Sequence, residues 1–350
     1  MKKAWFIWLL IPTFMVTQGC LAVNDSVPNQ PSGLPAPPVN NVPRPNGKPG
    51  NLVVLNWAGF SSALSYTFDD AQPSHIAHYN ELHAIGVPMT FYISSNVKGS
   101  PNSDSFWNRV VKDGNELGNH TASHPHSGMS GSCFGKPAAS PEAEVDECTR
   151  YIIDHFGQSD VWTMASPFGE TGWESIAESR FFLNRRVGGG SIAPNDQRDP
   201  WSLPCYMAGV GEKAARFNQL IDSTRSGGKW LILLFHSIGP TKDNWYNPVD
   251  IGEITQSIKH AQSSGDIWID TVVAIGAYWM GQELLSAATP VTSGEQTIWT
   301  WKLPDHFPPG KLVRVKVDGG ALIQNGKKLP WDNHGYYEVS LDEGSLTLIP

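Results

Sequence analysis

Charged side chains are scarce in this 350-residue chain: Asp, Glu, Lys and Arg make up 17% of it, with 25 basic against 33 acidic residues and a formal net charge of -8. A chain short of base, with no basic stripe, lacks the footprint of a nucleic-acid binder. Cysteine is limited to four residues, and no pair has the CxxC spacing of a cysteine zinc site. Long apolar runs are missing as well. Trp5 to Val16 is about a dozen residues, too short to cross a bilayer comfortably. Gly188-Gly189-Gly190 has neither the GxGxxG spacing of a dinucleotide fold nor the Lys-Ser/Thr of a P-loop. Ser166 and Ser237 lack the setting of a nucleophile elbow, which removes the Ser-His-Asp hydrolases.

What the chain does have is Gly (34), Pro (27) and Trp (14), a composition that suits a loop-rich protein outside the cytoplasm. Met1-Lys2-Lys3 followed by the short apolar segment reads as an export signal over residues 1–20. Thr17-Gln18-Gly19-Cys20 resembles a bacterial lipobox, which would make Cys20 the lipidated first residue of an envelope lipoprotein. Ordinary cleavage near Ala22 is the alternative. Leu21 resembles outer-membrane sorting. Export permits a disulfide, and Cys133 with Cys148 is the preferred pair, leaving the thiol of Cys205.

Residues 21–50 are rich in Pro, Asn and Gly without apolar periodicity and read as a disordered linker. Strands are expected at 63–68, 88–93, 116–119, 162–165 and 229–235. Helices are expected at 75–85, 105–113, 141–156, 251–262 and 271–285. This alternation predicts a parallel α/β domain over 51–287, with polar residues gathered where strands end. From 288 to 350 the texture changes to short alternating runs, a small β-rich module. Its role is to cap the main domain or, through Trp299, Trp301, Trp331, Tyr336 and Tyr337, to bind carbohydrate. The protein is expected as a monomer.

Two polar clusters carry the chemistry. Thr67-Phe68-Asp69-Asp70 closes an apolar run, and His120-Thr121-Ala122-Ser123-His124 follows a short strand. One carboxylate and two imidazoles make a ligand set for a divalent ion, and the second carboxylate remains as a base. A third cluster, Leu233-Leu234-Phe235-His236, ends the strand at 229–235.

On these motifs, residues 60–280 resemble the NodB-type polysaccharide deacetylases of carbohydrate esterase family 4. The resemblance implies a distorted (β/α) barrel and a divalent metal, usually zinc, with cobalt or another divalent ion as substitutes. It also implies hydrolysis of acetyl groups from N-acetylated sugars such as chitin or peptidoglycan, or from acetylated xylan. It would make Asp70, His120 and His124 the metal ligands, Asp69 the general base and His236 the general acid. Phe168 would offer a backbone N–H to the oxyanion, Trp201 and Leu233 would wall the acetyl pocket, and Asp199 or Asp196 would orient His236.

The chain departs from the family in Met164-Ala165-Ser166-Pro167-Phe168-Gly169, where Ala165 stands in place of an arginine that orients the base. Arg185, Arg186 and Arg198 are the candidates to replace it. A catalytically weakened carbohydrate binder is the reading this departure motivates. His126 is expected in a loop role behind the ligands, and His75, His78 and His83 on a helix surface.

Overall fold

The computed structural model of the protein describes residues 33–97, 103–240 and 246–350. The export-signal reading of residues 1–20, with the lipidation of Cys20, lies outside them, as does the linker reading as far as residue 32. A short strand β1 (Val53–Val54) precedes β2 (Ser62–Asp69), which is buried along its whole length. Alternation on β2 splits its side chains between two environments. Leu64, Tyr66 and Phe68 pack in one core with the helices, whereas Ser65, Thr67 and Asp69 take the other face.

The alternation of helix and strand then runs as the sequence predicts: α1 (Pro73–His83), β3 (Thr90–Ile93), α2 (Ser103–Lys112), β4 (Glu116–Asn119), α3 (Pro141–Phe156) and β5 (Thr163–Ala165). Helix α3 shows why its boundaries were legible. The Ser140 hydroxyl caps Ala143 N at 3.2 Å, Pro141 needs no hydrogen bond, and Gly157 ends the helix at φ 68°. After it come α4 (Glu174–Glu178), β6 (Leu183–Arg185), β7 (Tyr206–Met207), α5 (Ala214–Ser226) and β8 (Trp230–Phe235). The short parallel pair β9 (Ile238–Gly239) and β10 (Val249–Asp250) leads into α6 (Ile251–Ser263), β11 (Ile267–Ile269) and α7 (Val272–Ala287).

Seven parallel strands run in the order β6-β5-β4-β3-β2-β8-β7, and β11 pairs with the first residues of β2. Residues 203–207 draw the two edges together. Leu203 bridges Arg185 of β6, and Tyr206–Met207 pair with Leu233–Leu234 of β8. The result is the distorted (β/α) barrel, with every strand end that carries a motif at one rim.

The C-terminal strands are β12 (Val291–Ser293), β13 (Gln296–Thr300), β14 (Leu312–Lys316), β15 (Ala321–Gln324), β16 (Lys327–Lys328), β17 (Tyr337–Ser340) and β18 (Ser345–Ile349). They form antiparallel sheets in the orders β12-β13-β18-β15-β16 and β1-β14-β17. Strand β1, placed by sequence with the barrel, therefore pairs with the C-terminal strands. One apolar core joins them to the barrel through Trp268, Tyr278, Val313 and Leu341.

Two expectations are corrected here. Residues 33–50 are not a disordered tether. The buried Arg314 donates to Leu34 O, Pro35 O and Ala58 O at 3.3, 2.8 and 2.9 Å, and Trp331 Nε1 donates to Val42 O at 3.0 Å. A Pro-rich segment has no periodicity to read, but its carbonyls are free to accept from a partner distant in sequence. The five C-terminal aromatics are not an exposed sugar platform. Trp299, Tyr336 and Tyr337 are buried, while Trp301 and Trp331 are half-buried and spend their indole N–H groups on backbone carbonyls.

Candidate functional site

Asp69 ends β2 on the barrel-interior phase. Its neighbour Asp70 would point the opposite way in a continued strand, but φ turns to 78° there and to 52° at Ala71. This turn lets two consecutive carboxylates line one cavity of about 390 Å³. His120 follows β4 on the same rim, and Thr121 and His124 are also left-handed, with φ 63° and 54°. His120, His124 and His236 line the same cavity.

His120 Nε2 lies 3.4 Å, and His124 Nε2 3.7 Å, from Asp70 Oδ1. Ligands about 2.1 Å from a tetrahedral zinc ion lie roughly 3.4 Å apart, so this donor set fits such an ion. Asp70 Oδ1 is buried with no hydrogen-bond donor, as an atom reserved for a cation would be. His120 Nδ1 lies 2.8 Å from the carbonyl of Ala165. A carbonyl only accepts, so the proton is on Nδ1 and the Nε2 lone pair faces Asp70.

Electrostatics follow from this crowding. Burial alone would raise the Asp70 pKa, yet His120, His236 and His124 together hold it well below the usual carboxylate range. Burial, then the neighbouring His120, pushes His124 down to about 4. Burial opposes charge on His120, but Asp69 and Asp70 outweigh it and raise its pKa. Burial lowers His236 against the opposing pull of the two aspartates.

Of the three candidate arginines, Arg185 alone reaches the base. Its guanidinium donates to both oxygens of Asp69, at 2.6 Å for Oδ2. Arg186 instead braces the turn at Gly169 and Ser202, and Arg198 pairs with Asp196. The Tyr92 ring supports the Arg185 guanidinium, 5.0 Å from its centroid. Tyr92 in turn fits because Gly118 on β4 has no side chain: a Cβ there would run into the ring.

Several expected roles are not met. Leu233 faces the helical core, and Leu234 lines the cavity instead, because strand phase differs by one residue. Asp199 is exposed and caps Trp201 N at 2.9 Å, and Asp196 is held by Arg198, so neither carboxylate approaches His236. Trp201 donates its indole N–H to Phe181 O and does not line the cavity. Phe168 does line it, and its exposed ring stacks on His126 at 3.9 Å. His126 therefore lies outside the ligand set, with Nδ1 3.1 Å from Glu170.

His75 is buried, not on the surface, and Nε2 donates to His236 O at 2.8 Å. His78 is half-buried and His83 exposed. Cys133 and Cys148 form no disulfide. Cys148 is buried and its thiol donates to Ile93 O at 3.0 Å, while Cys133 is exposed at the cavity rim. Sequence reasoning missed Tyr92, Gly118 and Leu234, whose only signal was two-residue alternation on strands whose phase was not assigned.

Residues 61–181 match the family model described as polysaccharide deacetylase. Among solved structures, the chain is similar to the Xyl-CE4 domain of a multidomain xylanase from the hindgut metagenome of Trinervitermes trinervoides. That match has 18% identity over 61% of this chain and 88% of that one, with a TM-score of 0.41. A family 4 acetyl xylan esterase from Clostridium thermocellum, in complex with a cobalt ion, gives 19%, 61%, 89% and 0.41. A family 4 carbohydrate esterase from Streptomyces lividans, in complex with acetate, gives 17%, 61%, 92% and 0.42. The motifs at Asp69-Asp70 and His120–His124 fall inside the matched segment, so residues 61–181 of this chain resemble a polysaccharide deacetylase domain in both family match and site geometry.

Proposed function

We propose that the protein hydrolyses acetyl groups from an N-acetylated polysaccharide such as chitin, peptidoglycan or a related N-acetylglucosamine polymer. The observation that carries this reading is the meeting, in one cavity, of the Arg185-held carboxylate of Asp69, the Asp70-His120-His124 ligand set and His236. Asp70, His120 and His124 would hold a divalent ion, zinc by expectation. When bound, the ion supplies a Lewis acid that polarises the acetyl carbonyl and makes water more acidic.

Asp69 is the general base. Arg185 fixes the orientation of that carboxylate by donating to both of its oxygens, and Asp69 would take a proton from the attacking water. His236 faces the same cavity and protonates the leaving nitrogen, without which an amine departs poorly. Burial lowers the His236 pKa, so its protonated ring is a strong proton donor. The apolar wall of Leu234, Val187 and Phe134 suits the acetyl methyl. An exported protein anchored through Cys20 would meet such a polymer in the cell envelope.

The test is acetate release from N-acetylglucosamine oligomers, peptidoglycan and acetylated xylan side by side, with chelator and Asp69→Ala as controls. Release from an N-acetylated polymer, lost in both controls, supports the proposal. Release from acetylated xylan alone replaces it with an O-acetyl esterase of the same fold. Metal uptake without release from any substrate favours the carbohydrate binder.

A further inference from the structure

The loop that carries the two histidines is held in an unfavourable backbone conformation. Thr121 and His124 both have left-handed φ, which costs about 1–2 kcal/mol per L-residue without a compensating contact. Part of the compensation is local: Thr121 N donates to Asn119 Oδ1 at 2.8 Å and His124 N to Thr121 Oγ1 at 3.1 Å. The rest comes from Glu144, in the first turn of α3.

Glu144 is fully buried and makes no ion pair among the described residues. Its carboxylate accepts instead from Ser123 N at 2.7 Å, Ser123 Oγ at 2.7 Å and Ala138 N at 2.6 Å. Its backbone carbonyl accepts from Ala122 N at 3.0 Å. A buried carboxylate with no cation is expensive unless donors surround it, and this one is surrounded by donors from one loop. Ser123 lies between His120 and His124, and Ala138 ends the excursion that brings Cys133 and Phe134 to the cavity rim. One carboxylate thus ties both ends of the segment that forms this side of the site. An amide at position 144 would turn an N–H₂ toward one of these donors and lose that bond.

We propose that Glu144 is a positioning residue for the metal site. It locks the 120–124 loop in the conformation that brings His120 Nε2 and His124 Nε2 to Asp70 and thereby sets the affinity for the divalent ion. The inference rests on the reading of Asp70, His120 and His124 as ligands.

The experiment is a Co²⁺ titration of the metal-free full chain, read by visible absorption and by competition with a chelator, at a temperature where every variant is folded. The variants are Glu144→Gln, Ser123→Ala, and Glu147→Gln as an exposed control on the same helix. Glu144→Gln should weaken Co²⁺ binding at least tenfold and change the visible band, the scale on which outer partners of metal ligands act. Ser123→Ala, which removes one of the three carboxylate contacts, should weaken it severalfold, and Glu147→Gln should leave it unchanged. A folded Glu144→Gln protein with lower melting temperature but wild-type Co²⁺ affinity and spectrum would show a merely structural role and overturn the proposal. If Glu144→Gln does not fold, unchanged affinity in Ser123→Ala overturns it. Wild-type protein that takes up no Co²⁺ overturns this proposal and the ligand reading beneath it together.

Discussion

Arg185, the last residue of β6, donates its guanidinium to both carboxylate oxygens of Asp69, the last residue of β2. Strand register explains how it comes to be there. Arg185 is the direct partner of Ala165 on the neighbouring parallel strand, so the arginine is displaced by one strand from the position the family resemblance leads one to expect. The pair is buried, and Asp69, Cys205 and Tyr92 hold the Arg185 pKa above its ordinary value against desolvation.

Removing that guanidinium should separate catalysis from metal binding. Arg185→Ala is expected to lower acetate release by a factor of about 100 or more while Co²⁺ uptake by the remaining ligands persists. Its stability should fall by about 3–5 kcal/mol, because Asp69 is left as an uncompensated buried charge. Arg185→Lys should not restore the rate, since an ammonium has neither the flat face that rests on Tyr92 nor the second nitrogen that reaches Cys205 Sγ. Arg198→Ala should keep full activity. Initial rates, a metal titration and urea melts on the variants check all of these outcomes.

Gly118→Ala tests the support beneath the arginine. A methyl group there collides with the Tyr92 ring, and moving the ring withdraws the face against which the Arg185 guanidinium rests. A loss of about 1–3 kcal/mol is expected from overpacking. Activity should fall by more than the unfolded fraction accounts for. Tyr92→Ala combined with Gly118→Ala should cost less stability than the sum of the two single changes.

His75 predicts a pH dependence of stability. Burial lowers its pKa from 6.5 to about 4. The ring donates from Nε2 to His236 O, and Nδ1 is buried without a partner, so a second proton has nowhere to bond. A depressed folded pKa gives stability that is fully present above 6.5 and is lost as pH falls toward 4. Between pH 7 and pH 5 this group alone should remove about 2 kcal/mol. His75→Gln, which can still donate to His236 O, should remove that part of the slope in urea melts taken at the two pH values. His124 adds loss of the same sign in the metal-free protein.

Thiol chemistry checks the absence of a Cys133–Cys148 bridge. In the native protein Cys133 should react with a soluble disulfide reagent, although burial and Asp70 raise its pKa and slow the reaction. Cys148 is pushed up to about 12 and Cys205 to about 11 by burial, and both should react only on unfolding. Peptide mapping of the labelled sites, with Cys133→Ser as control, measures this directly.

Much of the barrel was legible because its elements are long and punctuated. Pro141 to Phe156 carries its cap and its terminating glycine in the sequence, and Trp230–Phe235 reads as a strand without any tertiary knowledge. The short pieces were not legible. Leu183–Arg185 has three residues, too few for any period to show, yet it delivers the arginine that meets Asp69. Ala214–Ser226 was also missed: no side chain caps its N-terminus, and its core face, Phe217 and Ile221 among others, is diluted by polar neighbours.

The residues for the chemistry were set by the chain itself. Adjacent carboxylates at a strand end and imidazoles spaced by four are properties of local order, and any fold placing both strand ends at one rim brings them together. Which arginine serves the base, which leucine lines the cavity, whether two cysteines bond and where the N-terminal segment lies were decided only by the tertiary structure. Each depends on register, strand phase or a donor distant in sequence. Those are relations between segments, fixed by the packing of the whole barrel, and no local stretch of residues contains them.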